Sequence, residues 1–356
     1  GIHTSTMQIL LITQEPPLSH DSVATGNAVR TAQLEGVLTR AGHTVKQTWL
    51  STQSFKQDTT FCSRDELQAI INRQHPDAIL VAYWELLELL PFDLPHPVIV
   101  DFVAPRPLEL LFENPEKVGA ELHLLQSNLT KCDLLLTGNQ AQRDLLWFTL
   151  LQAGFDLRGC EPILVVPLSA EVAGGPESDP VTDGWTLVGG GVSWPWRKSE
   201  EYWQAIRNMN PDSTSGNPRL VLFGGQYRWH EERPEGDGKA SPVGKGITQH
   251  SGPGHAADKT RTYGLEPYSH FSRFLLESAH IGLEVAQPNI ERKYSQSFRS
   301  LEFLRHGLPL ICNDYLPIAA LVRQYDAGWT VRDPEELVSL LREIMARPDE
   351  WRARSD

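Results

Sequence analysis

Long apolar runs are missing from this 356-residue sequence: the longest, such as Ile163–Leu168, have the length of a strand and are too short to cross a bilayer. No secretory signal pattern is recognisable, because the apolar stretch Ile9–Ile12 is too short for one. Cysteine is scarce, and the four residues include no Cys-x-x-Cys pair. Scattered cysteines in a chain of this length are typical of reduced core thiols, so we expect a cytoplasmic protein with at most peripheral membrane contact.

Basic residues are also fewer than acidic ones. The sequence has 32 Lys and Arg residues and 45 Asp and Glu residues, and its formal net charge is −13 at pH 7. A nucleic-acid binder needs a basic face, so this balance predicts no nucleic-acid partner. Metal-ligand spacing is not evident either: His250 and His255 lie in a Gly- and Pro-containing loop without helical His-x-x-x-His spacing. We therefore expect no metal ion and no cofactor.

Short apolar strands that alternate with amphipathic helices are abundant instead. In the first half the predicted strands are Gln8–Thr13, Ala78–Ala82, Val98–Asp101, Asp133–Thr137 and Ile163–Val166. Helices separate them, and Pro115 interrupts the one predicted over 108–128. Continuous apolar strands of this kind are typical of parallel sheets that are covered on both faces, so the fold class is α/β.

The same alternation restarts in the second half, with predicted strands Trp185–Gly189, Leu220–Phe223, Ile281–Val285 and Leu310–Cys312. Between the halves, residues 171–183 are rich in Gly, Pro and acidic residues and predict a linker. Residues 233–259 lack periodicity and predict a surface loop. We predict two Rossmann-like doubly wound domains, 1–170 and 184–356, that face a cleft where the strands end.

The most informative stretch of sequence is Glu291–Pro309. Ser297 fits an N-cap ahead of Phe298, and the first N–H groups of such a helix can bind an anion. Arg299 places positive charge in the first turn, which is unfavourable for the helix dipole and therefore indicates a nearby anion. Glu302 is one turn further on, where its carboxylate can accept two hydrogen bonds from a ribose diol. An ordinary amphipathic helix with a surface Arg–Glu pair is the alternative.

A glycine run, Gly189–Gly191, ends the first strand of the second half and is followed by Arg197 and Lys198. Glycine lets the backbone approach a ligand closely, and either basic residue can grip a diphosphate. A solvated basic pair is the alternative. The run is not a dinucleotide fingerprint, because Trp194 stands where the third glycine is required.

The stretch Leu301–Pro309 resembles the donor-binding helix of GT-B glycosyltransferases, especially the retaining family 4. In that family a glutamate, seven residues and a second glutamate precede a small-Gly-Leu/Val-Pro segment. The resemblance implies that Glu302 binds the donor ribose and that Ser297 and Phe298 offer backbone N–H groups to the diphosphate. It further implies that Arg197 or Lys198 neutralises that diphosphate.

The sequence also departs from this family pattern. Tyr294 stands eight positions before Glu302, so the nearest upstream acid is Glu291, our candidate for contact with the transferred sugar. Val192 takes the place of the family's phosphate-binding arginine. At Gly26–Asn27 the family has a glycine-rich turn that faces the donor phosphate and helps to enclose the acceptor. An ordinary helix entry is the alternative there.

The resemblance implies a hexosyltransferase-like enzyme of polysaccharide or glycoconjugate biosynthesis that acts with retention. The C-terminal domain would bind the nucleotide-sugar donor, and the N-terminal domain would bind a glycan, lipid-linked or small-molecule acceptor. We identify no catalytic base. Two alternatives stay open: a nucleotide-sugar epimerase or hydrolase of the same fold, and an inactive nucleotide-sugar-binding protein, which Tyr294 favours.

Overall fold

The computed structural model describes residues 5–19, 21, 24–51, 58–209, 217–225 and 260–355. The predicted loop 233–259, with its histidines, lies outside the described residues. The chain divides into two compact units. The first consists of the described residues of Gly1–Ser19 and Ala24–Ser169 with Tyr294–Gln296, and the second of those of His20–Val23, Ala170–Lys293 and Ser297–Asp356.

The described part of the first unit contains a seven-stranded sheet with the order β3-β2-β1-β4-β5-β6-β7, in which every pairing is parallel. Its elements are β1 (Gln8–Thr13), α1 (Gly26–Arg40), β2 (Thr44–Leu50), β3 (Thr60–Phe61), α2 (Arg64–Gln74), β4 (Ala78–Val81), β5 (Val98–Phe102), α3 (Arg106–Glu113), α4 (Val118–Leu129), β6 (Leu134–Thr137), α5 (Gln140–Gln152) and β7 (Ile163–Val165). Two 3-10 turns, Trp84–Leu89 and Pro115–Lys117, complete it, and the second is the interruption expected at Pro115.

The described part of the second unit contains a six-stranded parallel sheet with the order β10-β9-β8-β11-β12-β13. Its elements are α6 (Pro180–Asp183), β8 (Thr186–Val192), α7 (Glu200–Arg207), β9 (Arg219–Gly225), β10 (Thr260–Tyr263), α8 (Tyr268–Ser278), β11 (Ile281–Glu284), α9 (Ile290–Tyr294), α10 (Phe298–Arg305), β12 (Leu310–Asn313), α11 (Ile318–Gln324), β13 (Gly328–Val331), α12 (Pro334–Ala346) and α13 (Pro348–Ser355). Among all the helices described in both units, none is long and apolar enough to cross a membrane.

Both sheets are buried on two faces, as the continuous apolar strands require. Leu10 and Leu11 are neighbours in β1, yet they pack into different apolar clusters because successive side chains of a strand point to opposite faces. Leu187 and Val188 of β8 divide in the same way. The prediction of two doubly wound α/β units is confirmed.

The strand order reverses between β1 and β4 in the first sheet and between β8 and β11 in the second. In doubly wound sheets, ligands bind in the crevice outside the carboxyl ends of the strands at such a reversal. The topology therefore marks one candidate ligand site in each unit.

Residues 171–183, predicted as a linker, pack onto the second unit. The Ala173 N–H donates to the Arg305 carbonyl at 2.7 Å, and the Glu177 N–H donates to the Leu276 carbonyl at 2.8 Å. Asp179 pairs with Arg352 on α13 at 3.0 Å. Glycine and proline content indicates irregular backbone, but it does not reveal that such backbone is docked on one unit.

Candidate functional site

The strand reversal of the second sheet brings together the carboxyl ends of β8 and β11. Gly191, near the end of β8, has φ of 136°. A Cβ atom at Gly191 would lie 2.8 Å from a guanidinium nitrogen of Arg197 and 3.6 Å from the guanidinium carbon of Arg299. Glycine is favoured there by its positive φ, and a Cβ atom would also displace the guanidinium of Arg197.

Glu284, the last residue of β11, organises the charges at this edge. Its side chain is 4% exposed. It accepts hydrogen bonds from Arg292 and, at 2.6 Å, from the Ser297 hydroxyl, while Arg197 approaches to 3.7 Å. Burial by itself raises the pKa of Glu284, but the charges of Arg197 and Arg292 and the Ser297 hydrogen bond outweigh it and bring the pKa to about 2. The carboxylate is therefore ionised.

Glu284 is not among the site residues predicted from the sequence. The available signal was a carboxylate at the end of a strand whose other residues, Ile281–Leu283, are apolar. Such a carboxylate comes to lie at the ligand-binding edge of a parallel sheet, and partners from other elements then become necessary.

Arg197 and Arg299 carry the positive charge of this site. Arg299 donates to the Phe223 carbonyl at 2.9 Å, and its guanidinium lies 5.4 Å from the ring centre of Phe271. Burial and the nearby charge of Arg197 lower the pKa of Arg299 to about 10. Burial also lowers the pKa of Arg197, in opposition to Glu284. Both side chains remain protonated at neutral pH, and the repulsion between them is relieved when an anion binds.

Helix α10 begins at the same edge. The Ser297 hydroxyl accepts a hydrogen bond from the Ser300 N–H at 3.3 Å and donates one to Glu284, so it caps the helix and joins it to β11. The N-cap predicted from sequence is therefore present in the structure. The first N–H groups of the helix, from Phe298 onward, have no partner within the helix and can meet an anion.

Glu302 lies further along α10 and is buried. It accepts a hydrogen bond from the Tyr268 hydroxyl at 2.8 Å, and Arg305 lies 3.6 Å away. Arg305 also donates to the Tyr268 oxygen at 2.5 Å. Tyr268 and Arg305 line an open groove of about 460 Å³ beside α8. The Arg–Glu pair that the structure contains within α10 is formed by Arg305 and the buried Glu302.

The other predicted residues take different positions. Lys198 is exposed, and its carbonyl accepts a hydrogen bond from the Gln287 N–H at 2.8 Å. Glu291 is 2% exposed on α9. Burial lowers the pKa of the neighbouring Arg292, but the charge of Glu284 and, to a lesser extent, that of Glu291 raise it. Gly26 and Asn27 open α1 in the first unit, with Thr25 as the N-cap. Of the two basic candidates after β8, only Arg197 belongs to the charged cluster.

Comparisons with known proteins bear on the fold. No family model matches the chain, and no curated protein matches it. Solved structures do match. Anabaena Alr3699/HepE in complex with UDP-glucose has a TM-score of 0.57 and 13% identity over 98% of this chain and 92% of that chain. An α-glucosyltransferase in complex with UDP and a 13-mer DNA containing an HMU base has a TM-score of 0.61 and 11% identity over 99% and 93%.

The second likeness corrects one prediction. We excluded a nucleic-acid partner on the net charge of −13, but the α-glucosyltransferase of the same fold is seen in complexes with DNA. That exclusion was wrong, because net charge sums over the whole surface whereas binding needs only a local patch.

Identities of 11–13% establish the fold and not the finer classification. The resemblance that we inferred from Leu301–Pro309 is confirmed at this level, while family 4 membership and retention stay predictions. The chain has the GT-B fold of glycosyltransferases.

Proposed function

We propose that the protein is a glycosyltransferase whose nucleotide-diphosphate-sugar donor binds at the carboxyl ends of β8 and β11. One observation carries the proposal: Arg197 and Arg299 converge on Gly191 at the strand reversal, next to the N-terminus of α10. The charge of Glu284 acts on Arg197, Arg292 and Arg299, that of Glu291 acts on the first two, and that of Glu302 acts on Arg299. Because Glu302 is also paired with Arg305, four guanidiniums stand against three carboxylates and the cluster retains a positive surplus. The negative charge of a nucleotide-sugar diphosphate would neutralise this surplus of positive charge.

The same arginines suit the chemistry of transfer. When the glycosidic bond to the donor breaks, negative charge develops on the departing nucleoside diphosphate. Guanidiniums that are already in place stabilise this charge, and each can offer two parallel hydrogen bonds to phosphate oxygens. Glu284 and the Phe223 carbonyl fix Arg197 and Arg299 before any ligand arrives, which limits the reorganisation needed in the transition state.

Arg299 can supply the positive charge that is missing at one position of the family pattern. The family's phosphate-binding arginine is replaced by Val192 in β8. In this chain a second guanidinium reaches Arg197 from the first turn of α10 instead. We therefore assign diphosphate binding to Arg197 and Arg299 and leave Lys198 out of the site.

The nucleoside end of the donor is assigned to Glu302. In a nucleoside diphosphate the ribose is attached to the diphosphate. The carboxylate of Glu302 lies in α10 just beyond the first turn, which would bind the diphosphate, and it is therefore placed to bind the ribose. Tyr268 already donates to one carboxylate oxygen, and Arg305 approaches the other. The ribose diol would share or displace the Tyr268 contact. Retention of the anomeric configuration is part of the proposal and rests on the family resemblance.

The acceptor classes to be tested are glycans, lipid-linked sugars, small molecules and nucleic acids, the last because a structural neighbour is in complex with DNA. The experiment is incubation of the purified chain with UDP-glucose, the sugar nucleotide seen in HepE, and then with other nucleotide sugars, in the presence of acceptors from each class. Release of nucleoside diphosphate together with a glycosylated acceptor supports the proposal. Absence of nucleoside-diphosphate binding contradicts it.

Tyr294 favours a second candidate, a nucleotide-sugar-binding protein without transferase activity. The family places a sugar-orienting glutamate at this position, eight residues before Glu302. Tight binding of a nucleotide sugar without turnover on any acceptor would support the binding protein. Interconversion of the donor sugar without an acceptor would instead identify an epimerase.

A further inference from the structure

The strand reversal of the first sheet has a crevice of its own, beside the ends of β1 and β4. Its enclosed space is about 20 Å³, room for one water molecule or for one hydroxyl or ammonium group. Polar side chains line much of it: Gln14, Glu15, Asn27, Thr31, Glu35 and Gln47.

Glu15 provides the carboxylate that can accept a hydrogen bond in this crevice. Its Oε2 accepts a hydrogen bond of 2.5 Å from the Thr25 hydroxyl, the N-cap of α1. Its Oε1 is buried and has no hydrogen-bond partner within the described ranges. Burial raises the pKa of Glu15 against the opposing effect of Thr25. A buried carboxylate oxygen without a donor is costly, so a donor group that enters the crevice is stabilised.

Hydrogen bonds to the Glu15 carbonyl hold the backbone of this residue in place. The Thr13 hydroxyl donates to the Glu15 carbonyl at 2.6 Å. The Gln47 amide donates to both the Thr13 hydroxyl, at 3.0 Å, and the Glu15 carbonyl, at 3.3 Å. The crevice is thus preorganised, because its central carboxylate is fixed from the backbone and from Thr25.

The charges around the crevice are of one sign. Glu15 and Glu35 are its ionisable acids, and none of its described lining residues is Lys, Arg or His. A phosphate or carboxylate entering here would meet two carboxyl groups and, among the described lining residues, no cationic side chain. A hydroxyl or an ammonium group would instead find an acceptor.

We propose that this crevice binds one projecting hydroxyl or ammonium group of a ligand, which donates to Oε1 of Glu15, and that it rejects an anionic group at that position. The identification of this ligand as the acceptor rests on the proposed glycosyltransferase function. Anionic groups elsewhere on the acceptor, including the phosphates of a nucleic acid, are not restricted by the crevice.

Three methyl glucosides that differ only at the sixth carbon test the proposal. They carry a hydroxymethyl group (methyl glucoside), an aminomethyl group (its 6-amino-6-deoxy analogue) or a carboxylate (methyl glucuronide). Binding is measured by saturation-transfer NMR titration of the full chain at pH 7. We expect the amine to bind most tightly, the alcohol next and the carboxylate at least about tenfold more weakly than the amine, since a charge-assisted hydrogen bond is lost.

Glu15→Gln keeps the shape of the side chain and removes its charge, so it should abolish the preference for the amine. Glu116→Gln removes the same charge at an exposed position of the first unit and should preserve the preference. If melting shows that Glu15→Gln does not fold, Asn27→Leu, which fills the crevice from α1, should block the amine and alcohol probes.

Equal binding of the three probes, binding of none of them, or an unchanged order in folded Glu15→Gln would each overturn the proposal. Affinities for UDP, GDP and ADP are measured by calorimetry on the same samples. Absence of binding of all three to the wild type would refute the proposed function, whereas normal binding of one of them with a failed probe series would refute the crevice alone.

Discussion

Glu284→Gln tests whether the buried charge cluster holds the second unit together. The side chains of Glu284 and Arg292 are 4% and 1% exposed and are hydrogen bonded to each other. Removing one partner of such a buried pair leaves the other charge uncompensated, which destabilises a fold by about 3–5 kcal/mol. The Ser297 hydroxyl can still donate to the glutamine, so we expect the lower end of that range, about 3 kcal/mol.

Urea denaturation followed by far-ultraviolet circular dichroism, with and without the substitution, measures the loss. The matched control is Glu350→Gln, which breaks an Arg347–Glu350 pair of 2.6 Å whose side chains are 59% and 40% exposed. Exposed pairs contribute about 0–1 kcal/mol, so this variant should resemble the wild type. A double substitution, Glu284→Gln with Arg292→Met, should be more stable than Glu284→Gln alone, because the buried charge of Arg292 is removed together with the carboxylate that compensated it. If Glu284→Gln lay within about 1 kcal/mol of the wild type, the reasoning on this pair would be refuted.

Glu302→Gln should weaken nucleoside-diphosphate binding about tenfold to a hundredfold in calorimetry. Tyr268→Phe should leave this binding unchanged or make it tighter, because the ribose then no longer competes with the Tyr268 hydroxyl for the Glu302 carboxylate. Equal losses in both variants would argue against ribose binding. Nucleotide affinity should survive EDTA, since two arginines supply the charge, and its loss on chelation would reveal a metal site. Finally, burial lowers the pKa of His280 to about 4, below its unfolded value near 6.5, so the neutral form favours folding. The stabilisation of the fold by neutral His280 is complete above pH 6.5 and is lost as the pH falls towards 4, by at most about 3 kcal/mol. His280→Gln should remove this part of the pH dependence of the free energy of unfolding, measured by urea denaturation.

The local features of this protein follow from its sequence. The Ser297 cap, the interruption at Pro115 and the apolar strands depend on neighbouring residues, and each is present in the structure. The two-residue strand β3 and the five-residue helix α9 were not anticipated because they are too short to show a period. Strand β13 was not anticipated because Gly328 and Thr330 interrupt its apolar residues.

The charged cluster depends instead on residues that are distant in sequence. Glu284 meets Arg197 only because the sheet places β11 beside β8, and no spacing rule contains that information. The choice between Arg197 and Lys198 also needed the structure. The Arg197 side chain is 21% exposed and lies 3.7 Å from Glu284, whereas Lys198, the next residue, is exposed.

The central claim is that Arg197 and Arg299 bind the diphosphate of the donor, and calorimetric titration of UDP, GDP and ADP and of the corresponding nucleosides tests it most directly. In Arg197→Ala with Arg299→Ala, checked by melting, we expect the affinity for the preferred diphosphate to fall at least about a hundredfold while the nucleoside is bound as before. Lys198→Ala, an exposed charge outside the cluster, should change neither value by more than about threefold. Unchanged diphosphate affinity in the folded double variant would contradict the account.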